Sequence, residues 1–92
     1  MRTMQLRGPF SEGVDYSFTV TGVACQIGLE LGRTLSFFDK TNMLEPIFEI
    51  NGVPYFIGDT CILEWGDIAT KYIKVTPLKN LDEYAIIDVA YE

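Results

Sequence analysis

Between Tyr16 and Leu31 the chain alternates apolar and polar residues with a period of two, and the phase of that alternation changes once. Tyr16, Phe18 and Val20 alternate with Ser17, Thr19 and Thr21, the pattern of a strand buried on one face. After Gly22 the apolar set becomes Val23, Cys25, Ile27, Leu29 and Leu31, opposite Ala24, Gln26, Gly28, Glu30 and Gly32. Successive strand side chains point to opposite faces, so a change of phase at glycine marks a bulge or a turn. At about 3.3 Å per residue, an unbroken strand over this run would reach roughly 50 Å, beyond the girth of a domain of 92 residues. The run must bend or reverse, with Gly22 and Gly28 as the candidate positions. Gly32-Arg33 offers a further reversal before Leu35 and Phe37, and Asp39-Lys40-Thr41-Asn42 reads as a loop.

Asn51-Gly52 lies between two more apolar runs and predicts a two-residue type I′ hairpin, because both central residues must adopt positive φ. Ile50 then faces Val53, Phe48 faces Tyr55, and Ile47 lies against Phe56. Pro54 falls at a non-hydrogen-bonded pair, which gives the second strand a free or irregular outer edge. The ladder is expected to stop at Ile47, after Pro46.

Cys61, Leu63 and Trp65 alternate with Thr60, Ile62 and Glu64, and Gly66-Asp67 is expected to close that strand. Ile68 to Lys71 reads two ways, since Asp67 is able to cap a single helical turn there, before Tyr72, Ile73 and Val75 resume an extended pattern that Pro77 ends. Tyr84 to Tyr91 is predicted as strand, with Ala85, Ile87, Val89 and Tyr91 on its apolar face. Six or seven short strands and at most a minor helix give an all-β fold, a small antiparallel barrel or sandwich, in a single domain with residues 1–13 as an extended arm. The stretch Gly58-Asp59-x-Cys61-x-Leu63 resembles, over six residues, the turn that leads into a central strand of small SH3-like barrels.

A chain this short buries only about 60 to 65% of the surface its unfolded form exposes. With 48% hydrophobic residues it carries more nonpolar matter than so small a core hides, which points to a partner surface, another copy included. Net charge is −6, and all of it lies after Lys40, where Lys71, Lys74 and Lys79 meet nine carboxylates. That field repels phosphate backbones and disfavours direct nucleic-acid binding. Residues 1–13 lack an apolar signal region, and the most apolar stretch falls short of a membrane span of roughly 20 residues. The expectation is a soluble protein, cytoplasmic or within a viral particle.

Chemistry is sparsely represented. There is no histidine, which removes the commonest general base and the usual partner of a nucleophilic serine or cysteine. Cys25 and Cys61 are 36 positions apart, outside any zinc-binding pattern, and sit among apolar alternations as small buried hydrophobes do. Asp59, Glu64 and Asp67 are the acids that flank a probable strand with an aromatic nearby, and Glu64 and Asp67 read as part of a solvated rim in preference to a catalytic or calcium-binding set. No catalytic residue, metal site or cofactor is assigned.

Three functions follow as expectations. The leading one is a non-enzymatic interaction or assembly protein, pairing with itself or another protein through strand edges and aromatic surface, with Pro54, Tyr55, Trp65 and Tyr72 as contact residues. A phage or viral accessory role suits such a chain. The second is an acidic inhibitor that blocks a basic, nucleic-acid-binding surface on its target. The third is a β-barrel that holds a small ligand among aromatic residues.

Overall fold

The computed structural model describes residues 1–32 and 45–92; the expected strand around Leu35 and Phe37 and the loop over residues 39–42 lie outside them. Six strands form one antiparallel sheet: β1 (Arg2–Arg7), β2 (Tyr16–Leu31), β3 (Phe48–Ile50), β4 (Val53–Tyr55), β5 (Thr60–Pro77) and β6 (Ala85–Tyr91). Their spatial order is β1-β6-β2-β5-β3-β4, so β1 and β4 are edges that do not pair with each other. The fold is all-β as the alternation requires, but among the described residues the sheet does not close into a barrel. Among the described residues no helix is long and apolar enough to cross a membrane.

β2 runs through both glycines without reversing, and it bends at the first. Phe18 and Val20 are buried before Gly22, and Cys25, Ile27 and Leu29 after it. The phase change is produced by a shift of register against β5: Gly22 pairs with Ala69, but Ala24 pairs with Glu64. Trp65, Gly66, Asp67 and Ile68 therefore stand opposite Val23 alone, a wide bulge in β5. Gly66, at φ 73°, supplies the left-handed residue of that bulge. The expected strand end at Gly66-Asp67 and the helical turn after it do not form; β5 continues to Pro77. A Gly-Asp pair requests the same backbone conformation for a turn as for a bulge, and only the partner strand decides which results. From Cys25 to Gly28, β2 is sandwiched between β5 and β6, with Ile27 opposite both Cys61 and Val89.

The hairpin forms in the expected register, Ile50 to Val53, Glu49 to Pro54 and Phe48 to Tyr55, with φ of 50° at Asn51 and 86° at Gly52. Pairing stops one residue earlier than expected. Ile47 is buried while Phe56 is exposed, so these two do not form a shared strip. Arg2–Arg7, within the segment that reads as an arm, pairs along its whole length with β6.

One core holds both halves of β2, with Ile73 and Val75 from β5, Phe48 and Ile50 from β3, and Ile87 and Val89 from β6. Phe10 closes one end, meeting Tyr16 edge-on at 5.0 Å and Phe48 at 5.5 Å between ring centroids. At the bend, a Cβ on Gly22 would run into the backbone carbonyl of Glu92, so only glycine lets the end of β6 lie there. At Gly28 the nearest atom to such a Cβ is that of Asp88 at 4.0 Å, an ordinary contact. Gly22→Ala is expected to lower unfolding free energy by about 1–3 kcal/mol in urea denaturation, while Gly28→Ala changes it by less than about 1. Equal, small effects of the two substitutions would contradict the bend.

Candidate functional site

β5 is covered unevenly. β2 pairs with it along one edge, but on the other edge β3 reaches only Val75 to Pro77. Asn51 extends that contact by one residue: its N–H donates to the Lys74 carbonyl at 2.8 Å, and its side-chain oxygen accepts from the Lys74 N–H at 3.0 Å. Alternate residues of a strand turn their backbone groups to the same edge. Tyr72 is therefore the next to present its N–H and C=O there. On the far side of the bulge, Leu29 N–H bonds to the Asp59 carbonyl at 3.1 Å, which sets the phase and turns the backbone of Ile62 and Glu64 to the open edge. Among the described residues no strand pairs with this part of β5.

Because β5 bends at its bulge, the two uncovered stretches line a single open groove. Ile62 and Leu63 contribute from before the bulge, Trp65 from its first position, Lys71 and Tyr72 from after it, and Asn51 from the hairpin turn. Trp65 has two roles here. Its ring packs against the core, and its indole N–H donates to the Gly22 carbonyl, tying the bulge of β5 to the bend of β2. The Lys71 ammonium lies 5.7 Å from the centre of the Trp65 ring, a cation–π contact on the groove side. Tyr72 is 66% exposed and Ile62 64% exposed, large apolar surface that the core leaves out.

The four expected contact residues thus separate into two pairs. Trp65 and Tyr72 share the groove, but Pro54 and Tyr55 lie on edge strand β4. Pro54 sits opposite Glu49 at a non-hydrogen-bonded pair, so the N–H it lacks is one that would have faced outward. That edge is short of a donor and discourages strand addition. Tyr55 is half-buried against the core, and its phenol is pushed above the usual tyrosine value by a hydrogen bond with Cys61, then by burial and by the charges of Cys61 and Asp59. The sequence pattern singles out neither Ile62 nor Lys71, and marks Asn51 only as a turn residue. Ile62 carried a signal all the same: it is a large β-branched residue on the polar side of its alternation, between Thr60 and Glu64.

Register also settles the cysteines. Cys61 pairs with Ile27 and Cys25 with Leu63, which puts the two thiols at diagonal positions on one buried face, and neither is in a disulfide. Burial pushes the Cys25 thiol up, and the neighbouring Cys61 pushes it further. Of the three acids considered, Asp59 accepts the Phe56 N–H at 2.9 Å, Glu64 lies in the groove and Asp67 in the bulge. No group of three or more His, Cys, Asp or Glu that could hold a metal occurs among the described residues. Comparison with protein-family models, curated proteins and solved structures finds nothing that matches this chain.

Two outcomes follow. Trp65→Phe keeps most of the apolar volume but strands the Gly22 carbonyl, and should cost about 1–2 kcal/mol of stability by denaturant titration, whereas Tyr72→Ala costs less than about 0.5. The reverse order would remove Trp65 from the bend. At neutral pH, iodoacetamide should label Cys25 and Cys61 only after denaturation, as detected by intact mass; rapid labelling of the native protein would contradict their burial.

Proposed function

We propose that this chain is a non-enzymatic interaction or assembly protein that works through the groove on the open edge of β5. The observation that carries this reading is the convergence of Trp65, Tyr72 and Ile62 beside a stretch of β5 that no described strand covers. A half-buried tryptophan anchored by its own N–H is a rigid platform, and aromatic anchors dominate interface energetics. Exposed tyrosine and isoleucine add apolar area that loses contact with water when a partner seats there, at roughly 25 cal/mol per Å².

Two features favour this surface over the other readings. The groove carries one acid and one base, Glu64 and Lys71, so docking there is driven by apolar area more than by the acidic field an inhibitor of basic surfaces would use. It is also an open trough beside a strand edge, a shape that suits a protein surface better than an enclosed small ligand. Pro54 and Tyr55 are assigned a lesser part, since Pro54 blunts its own edge.

A photo-crosslinking residue placed at position 62, in the cell that produces the protein, should give a discrete adduct with one protein. The same residue at exposed position 83, outside the groove, should give none. No adduct at 62, or equal labelling at both positions, would overturn the reading.

A further inference from the structure

We infer that the occupant of the β5 groove is a second copy of this chain, docked about a two-fold axis so that Glu64 of each copy faces Lys71 of the other. This rests on the groove being the interaction surface. A two-fold contact requires one patch to be complementary to itself. The groove offers both parts of such a contact, the exposed Tyr72 and, beside it, a recess whose half-buried walls are Leu63 and Trp65. Tyr72 of one copy seats in the recess of the other, and the symmetry repeats the contact.

It meets the requirement in charge as well. With a net charge of −6, two copies repel each other over most orientations, and a patch with balanced charge is where they can approach. Glu64 and Lys71 supply that balance, and neither forms an ion pair with another described residue, unlike Lys74 with Asp15 and Lys79 with Glu45. Lys71 is already held against the Trp65 ring, so little side-chain freedom is lost when a carboxylate arrives.

The two outermost strands, β1 and β4, do not serve a second copy equally well. Antiparallel pairing of two β1 strands in the symmetric register sets Arg2 against Arg7, like charges at both ends of the contact. β4 offers three residues, the central one a proline without a donor.

The test is sedimentation velocity across a concentration series on the wild type, Glu64→Lys, Lys71→Glu and the double exchange, each checked for its native fold by near-ultraviolet circular dichroism. The wild type should be a dimer. Each single exchange places like charges together at two symmetric points and should weaken association by about tenfold or more, and the double exchange should restore it. The two single exchanges move net charge in opposite directions, so a response to overall charge would strengthen one and weaken the other. That pattern, or a dimer indifferent to all three variants, overturns the proposal. A wild type that stays monomeric at every concentration also overturns it; if position 62 still crosslinks to a different protein, the groove keeps its role and only the second copy is excluded.

Discussion

The structure depends on a mismatch of length. Eighteen residues of straight strand would reach about 60 Å, yet the longest dimension of the molecule is 43 Å. β2 and β5 pair over nearly their whole length, so they must bend together, and they do so where four residues of β5 face one of β2. The bond from the Trp65 indole to the Gly22 carbonyl holds the two strands together at that point, and the end of β6 fits against Gly22 because no side chain stands there. From this follow the single core shared by both halves of β2 and the groove where the two uncovered stretches of β5 meet.

The same bend determines which apolar residues remain outside. Ile27, Leu29, Ile73, Val75, Ile87 and Val89 fill the interior almost completely. Ile62 and Tyr72 lie on the outer sets of their half-strands, and Ile68, 81% exposed, stands on the bulge itself. Among the described residues the sheet has no second layer to cover them. Their exposure costs solubility, which the excess of carboxylates offsets, and the neutral pair Glu64 and Lys71 marks the part of the surface where that repulsion is weakest.

Local signals were legible wherever the chain itself determines the conformation. Asn51-Gly52 specified its turn and register, the alternation from Ala85 to Val89 specified a buried strand face, and the change of phase at Gly22 located the bend in β2. What could not be read were features set by a distant partner. Gly66-Asp67 looks alike as a turn or as a bulge, and the choice was made by Val23, more than 40 positions earlier. Trp65 and Tyr72 were legible one by one as candidate contact residues, but their convergence on one groove with Ile62 depends on the bend. Pro54 was correctly placed on an outer edge, though the missing N–H that put it there also weakens that edge as a template. The cysteines needed the register of β2 on β5 before their common face was visible.

Because the chain has one tryptophan, its indole N–H gives one resonance, and that resonance reports directly on the bond that holds the bend. In two-dimensional NMR with hydrogen exchange, the account requires this proton to exchange slowly with water and to show through-space contacts to Gly22 and Val23. An indole proton that exchanges at the rate of a free side chain, with no contact to β2, would mean that the bulge is not tied to the bend and that the groove built on it does not exist.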